Sequence, residues 1–208
     1  MDEEDFKKLF SKIKEVSYKT AGDSVDYRIH INFNEKTIRL LFQESVGKRD
    51  WLNNFNFPVK IYKNQKSCLK AHRGFGNAYK SANDEIMTEL QDYMQKYLDF
   101  EVVIAGWSHG GALAVLAAED FYFRFKKQAM LITYGAPKTL WGKKSQEYLR
   151  TCVKDAVQFG NNNDIVTYLP PFPGYHHVNI HRCGEKFSLK KIFRADVYHC
   201  NYGEIDLI

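Results

Sequence analysis

Apolar side chains recur at Phe6, Leu9, Phe10, Ile13 and Val16. That three-and-four spacing marks one face of a helix, so an amphipathic helix is predicted at the start of the chain. Residues 27–33 (YRIHINF) alternate, and 36–42 (KTIRLLF) follow after Asn34-Glu35, which predicts two strands joined by a tight hairpin. From Gln43 to about Phe57 the chain is polar and studded with aromatics, the character of a loop, and 59–62 (VKIY) reads as a short strand. A long helical pattern covers 75–98, with Ile86, Leu90, Met94 and Leu98 four residues apart. The next stretch, 100–106 (FEVVIAG), is apolar without alternation, as a strand buried on both faces requires. A helix over 111–123 follows, rich in small residues on the side that would face a sheet, and then a second buried strand over 129–135. Further along come a helix over 145–154, a strand over 156–159 and a turn, GNNND, at that strand's C-terminal end. The rest is loop and short strands, with a last turn around 196–202. Strands alternating with helices imply an α/β fold: a mostly parallel central sheet with helices on both faces. No internal repeat and no domain boundary interrupts the pattern, so 1–208 reads as a single domain.

Composition narrows the function classes. A chain of 208 residues with 44% hydrophobic positions has enough apolar side chains for a filled core. The net charge of +5 is mild, and no basic stripe with a recognition motif accompanies it, so nucleic acid is not an expected partner. The densest basic segment, EKFSLKKIFR at 185–194, interleaves Phe187, Leu189, Ile192 and Phe193 with its charges. It reads as an amphipathic element with a solvated basic face, and a membrane-touching patch is the alternative. The first ten residues are acidic and lack the basic and apolar regions of a secretory signal. No apolar run approaches the roughly 20 residues that span a bilayer. Cys68, Cys152, Cys183 and Cys200 are scattered without paired spacing, which favours free thiols. A cytoplasmic location is therefore expected.

The chemistry concentrates where the buried strand at 100–106 meets the following helix. Gly106-Trp107-Ser108-His109-Gly110 fits G-x-S-x-G. The bare pattern recurs by chance in about one chain in fifteen of this length, so its position decides. Here it follows a strand and opens a helix, the context of a nucleophile elbow, in which the flanking glycines let strand and helix approach. The helix N-terminus aims its N–H groups at the place where an oxyanion would form. A serine hydroxyl needs a base to take its proton and an acid to orient that base, following in the order Ser, Asp/Glu, His. His30 and His72 precede the serine and His109 lies in the elbow, which leaves His176, His177, His181 and His199. Asp155 begins a strand and so lies at the wrong end of the sheet. Asp164 lies just past a strand's C-terminal end, where α/β sites gather, and is the expected acid. A zinc site built from His176, His177, His181 and Cys183 would lack a partner pair at finger spacing.

Several further motifs fall in order along 38–202. LLFQESVGKRDWLNNF resembles a phenylalanine-initiated oxyanion motif followed by Asp-Trp-Leu; AHRGFGNAY resembles His-x-Gly-Phe with a downstream tyrosine. GWSHGGALA, ITYGAPK, DIVTYLPPFPGYHHV and DVYHCNY complete the series. Together they resemble the class 3 lipase family, the fungal triacylglycerol lipase group, with its α/β-hydrolase fold. The resemblance implies Ser108 as nucleophile, Asp164 as acid and His199 as base, with the histidine after Gly-Tyr, His176 or His177, structural. It also implies Ser45 and His109 as oxyanion-hole residues and a lid over 46–57, a segment that by its own residues reads equally as a helical turn with its apolar side in the core. His199, in a terminal segment beyond the last strands, is free to reach back over the elbow. The chain departs from the family pattern at Gln43-Glu44, where Arg-Gly is usual, and at Trp107, His109 and Thr167.

The resulting expectation is a serine carboxylic-ester hydrolase acting on acylglycerols or other lipid esters, with no metal or organic cofactor. Its partners would be a lipid or small ester and, transiently, a lipid surface. A phospholipase at anionic surfaces and a catalytically silent lipase-like binding module are the alternatives.

Overall fold

A computed structural model describes residues 1–43, 61–63, 67, 69–191 and 194–207. In chain order the elements begin with α1 (Glu3–Glu15), β1 (Lys19–Ala21), β2 (Val25–Asn32), β3 (Thr37–Phe42), β4 (Ile61–Lys63) and β5 (Lys70–His72). They continue with α2 (Arg73–Lys96), β6 (Glu101–Trp107), α3 (His109–Phe125), β7 (Ala129–Tyr134) and β8 (Leu140–Trp141). The last are α4 (Lys143–Cys152), β9 (Val153–Asn161), a 3-10 turn (Ile165–Tyr168), β10 (Tyr175–His176), β11 (Ile180–Cys183) and the short α5 (Ala195–Tyr198).

A seven-stranded sheet runs in the order β1-β2-β3-β6-β7-β9-β11. From β3 to β11 every neighbouring pair is parallel, and β1 and β2 add an antiparallel edge. A second, four-stranded sheet, β10-β8-β5-β4, is antiparallel. Successive side chains on a strand point to opposite faces, and both faces of the large sheet are covered. On one, Leu41, Val103, Ala105 and Ile132 pack with Phe6, Leu9, Phe10 and Ile13 of α1. On the other, Leu40, Ile104 and Leu131 pack with Ile86 and Leu90 of α2 and Leu113 of α3. That double burial is why β6 shows no alternation. The mostly parallel α/β architecture expected from the sequence is the one observed.

The small residues of α3 serve close approach: Gly110, Gly111, Ala112, Ala114, Ala117 and Ala118 are all buried, and the helix lies on β6 and β7. Because the parallel strands share one direction, the turns leaving β6, β9 and β11 open at the same edge of the sheet. Ser108, Asp164 and the segment after Cys183 therefore stand together at that edge.

Several local expectations differ. The hairpin between β2 and β3 spans four residues rather than two, because Asn32 Oδ1 accepts from the N–H groups of Asn34 and Glu35 and ends the ladder early. Lys36 completes the turn at φ 50°. The helix predicted over 75–98 ends at Lys96, leaving Leu98 exposed. The helix predicted over 145–154 starts at Lys143 and stops at Cys152, where β9 takes over. In the basic segment after Cys183 the described part forms bends and turns, and its Phe187 and Leu189 are 50% and 72% exposed. Cys152 and Cys183 are buried thiols outside any disulfide. Among the described residues no helix is long and apolar enough to cross a membrane.

Candidate active site

The turn from β6 into α3 is held in a conformation few residues adopt. Ser108 sits at φ 56°, ψ −126°, which an L-residue enters only when its surroundings over-determine it. Two contacts do so. The Ser108 N–H donates to Tyr134 O on β7 at 2.9 Å, and Gly106 and Gly110 face each other so closely that a Cβ on Gly106 would lie 2.3 Å from Gly110 O. Ser108 is buried, and its Oγ has no hydrogen-bond partner among the described residues. As the first residue of α3, His109 has a backbone N–H that no carbonyl of its own helix can accept, since the first turn lacks i−4 partners. Its ring packs edge-on against Phe75 with centroids 5.5 Å apart.

Asp164 follows β9 and caps the 3-10 turn: its Oδ1 accepts from Val166 N–H at 3.0 Å. Its Oδ2 accepts from His199 Nδ1 at 2.8 Å and from the Tyr202 hydroxyl at 2.7 Å. A carboxylate oxygen only accepts, so the imidazole hydrogen sits on Nδ1 and the lone pair of the neutral ring is on Nε2. All three side chains are buried. Tyr202 does more than donate, because its oxygen also accepts the Asn161 N–H at 2.9 Å and so ties Asp164 to the end of β9. Burial and the adjacent Asp164 charge push the Tyr202 phenol well above its ordinary pKa, so it stays a donor.

His199 is located by Trp107 and Gly135. Trp107 Nε1–H donates to His199 O at 3.0 Å, and the two rings lie 5.5 Å apart at an interplanar angle of 33°. Phe10 of α1 also meets Trp107 edge-on, with centroids 5.9 Å apart. Gly135 adopts φ +57°, and a Cβ there would lie 2.9 Å from both Asp164 Oδ2 and His199 Nδ1, so only glycine lets β7 end against the pair.

The structure thus brings together Asp164, His199 and the elbow residue next to Ser108. The other candidate histidines stand elsewhere. His177 is buried with its Nε2 on Thr167 O at 2.8 Å, which makes it a brace beneath the 3-10 turn. Burial drives its pKa down to about 4. His176 is half-buried in β10, and His181 is exposed with its ring 6.0 Å from Phe159. Asp155 lies near the start of β9, paired with Met130. Among the described residues no group of three or more His, Cys, Asp or Glu side chains is placed to hold a metal ion. Ser45 and the 46–57 segment expected as a lid lie outside the described residues. Sequence reasoning gave no role to Tyr202 or to the Trp107 indole; the three-residue step from His199 to Tyr202, on the turns after α5, was the available signal.

This geometry is accompanied by a family match. The model of the class 3 lipase family matches residues 40–173, more than half of the chain. The chain is 30% identical over 145 residues to a lipase of Rhizomucor miehei, covering 66% of this chain and 39% of that protein. It is 29% identical over 163 residues to a secreted mono- and diacylglycerol lipase of Penicillium cyclopium, covering 77% of this chain and 52% of that protein. The solved structure of Rhizomucor miehei triacylglyceride lipase superposes with a TM-score of 0.72 at 24% identity, covering 80% of this chain and 65% of that one. The chain belongs to the class 3 lipase family and has its α/β-hydrolase fold. It matches about half or less of the length of these two curated relatives. The relatives also correct the cytoplasmic expectation, since the Penicillium protein is named as secreted. The character of the first ten residues therefore carries no conclusion about location.

Proposed function

We propose that this chain hydrolyses carboxylic esters of lipids, acylglycerols foremost, through an acyl-enzyme on Ser108. The observation that carries the reading is the 2.8 Å bond from His199 Nδ1 to Asp164 Oδ2, made beside a strained serine at a helix N-terminus. Ser108 Oγ attacks the ester carbonyl carbon while His199 Nε2 takes its proton. The carbonyl π pair moves onto oxygen, where the His109 N–H stabilises the charge, and Ser45 is the second donor implied by the family pattern. One such donor contributes about 2.7–4 kcal/mol. Collapse expels the alkoxide, which leaves with the proton from His199. Water then attacks the acyl-enzyme with the same base, returning Ser108 and releasing the acid. Asp164 holds the ring throughout and stabilises its charged form. The names of the Rhizomucor and Penicillium relatives support acylglycerols as the substrate class.

The test is fluorophosphonate labelling with turnover of a soluble short-chain ester. The label should appear on Ser108 and vanish in Ser108→Ala, which stays folded. His199→Ala should lose turnover as severely, and the double variant should be little worse than either, because the group acts as a unit. Near-parental turnover by Ser108→Ala would remove the serine mechanism.

A further inference from the structure

The segment that follows β11 leaves the sheet at the same edge as Ser108 and Asp164, and it is built to be held still. The buried Asn163, next to Asp164, fastens it three times. Its Nδ2 donates to Glu185 O at 3.3 Å and Lys186 O at 3.2 Å, and its Oδ1 accepts from Ser188 N–H at 2.8 Å. Phe187 lies edge-on to Tyr168 of the 3-10 turn with centroids 6.0 Å apart. What this anchored loop presents is unusual for a soluble surface: Phe187 at 50% and Leu189 at 72% exposure, two residues apart. Exposed Lys186, Lys190 and Arg194 flank them, with no ion pair to any described residue. The one carboxylate of the loop, Glu185, is already paired with Lys191. Among the described residues, the other exposed large apolar side chains past the N-terminal Met1 are Phe33 and Leu98, at the opposite edge of the sheet.

Apolar side chains ringed by unpaired cations match the boundary of an anionic bilayer, where acyl chains lie beneath negative headgroups. We propose that the loop at 185–191 is a docking surface for an anionic lipid bilayer. Phe187 and Leu189 enter the acyl boundary, while Lys186, Lys190 and Arg194 meet headgroup charge. Docking there turns the site-bearing edge of the sheet toward the lipid. The proposal rests on the ester-hydrolase reading for why that edge should face a lipid, and its test needs no turnover.

The experiment uses the full chain carrying Ser108→Ala, co-sedimented with vesicles of phosphatidylcholine alone or mixed with phosphatidylserine. The mixed vesicles should bind it, and raised salt should weaken the binding. Lys186→Gln and Lys190→Gln should each weaken it about fivefold, and Phe187→Ser with Leu189→Ser at least about tenfold. A Phe187→Trp variant should shift its emission to the blue only with the mixed vesicles. In the Ser108-intact chain, Phe187→Ser with Leu189→Ser should turn over a soluble ester at the parental rate. Equal binding by parent and loop variants, equal binding to both vesicle types, or unchanged emission from the Phe187→Trp variant would each overturn the docking surface. Vesicle binding without ester turnover would instead sink the enzyme reading and leave the surface standing.

Discussion

Replacing Tyr202 with phenylalanine removes one oxygen and two hydrogen bonds. The hydroxyl accepts the Asn161 N–H at 2.9 Å and donates to Asp164 Oδ2 at 2.7 Å, with all three residues buried. The ring's packing against Phe10 and Tyr134 survives the change. What is lost is polar satisfaction. A buried N–H left without an acceptor costs about 1–3 kcal/mol, and a bond to a charged group contributes about 1.5–3 kcal/mol. Asp164 keeps its bonds from Val166 and His199 and softens the second loss, so a total of about 3 kcal/mol is expected. For a chain of this size that lowers Tm by roughly 6–12 °C. The carboxylate also loses its tie to β9, so kcat on a soluble ester should fall about tenfold with little change in KM. Because burial keeps the phenol protonated, the kcat deficit should be the same at every pH where the enzyme works. Circular-dichroism melting and steady-state kinetics measure both effects. A variant that melts within about a degree of the parent and keeps its kcat would show that the hydroxyl neither satisfies Asn161 nor steadies the acid.

Trp107→Phe keeps a ring against His199 but deletes the Nε1–H donor to its carbonyl. The expected result is a kcat lowered about five- to tenfold, matching the roughly 1 kcal/mol of one hydrogen bond, with KM unmoved; an unchanged kcat would free His199 from this contact. His177 predicts an acid weakness. Its folded pKa of about 4 lies below the ordinary 6.5, so between those values the unfolded chain takes up a proton that the folded chain refuses. Stability is therefore lost as pH falls through that window, by about 3 kcal/mol. His177→Gln, which retains a donor for Thr167 O, should show a flatter decline in urea midpoint from pH 6.5 to 4. Parallel declines would place the acid weakness in another group.

Much of this arrangement is local and legible in the sequence. The unbroken apolar run of β6 needs only two covered faces, and G-x-S-x-G needs only that a Cβ on Gly106 would collide with Gly110 O. Both are requirements on neighbouring residues, so they leave a mark in the chain at fixed spacing. The place of Asp164 just past β9 was likewise legible, because a strand's C-terminal end can be read from the strand itself. The hairpin at 33–36 was misjudged because the deciding bond comes from a side chain, Asn32, that also suits a strand end. The exposure of Phe187 and Leu189 was misjudged for a related reason: interleaved apolar and basic residues describe a helix face and a loop equally well, and Asn163 made it a loop. The choice among four histidines lay beyond residue pattern altogether and was first made by likeness to a family. Only the tertiary structure joins Trp107 to His199 across 92 positions, and Asp164 to His199 and Tyr202 across 35 and 38. Hydrogen bonds between residues so far apart have no period in the chain. They exist because β6, β7 and β9 end at one edge of a sheet, and the last segment has to cross that edge to bury Tyr202.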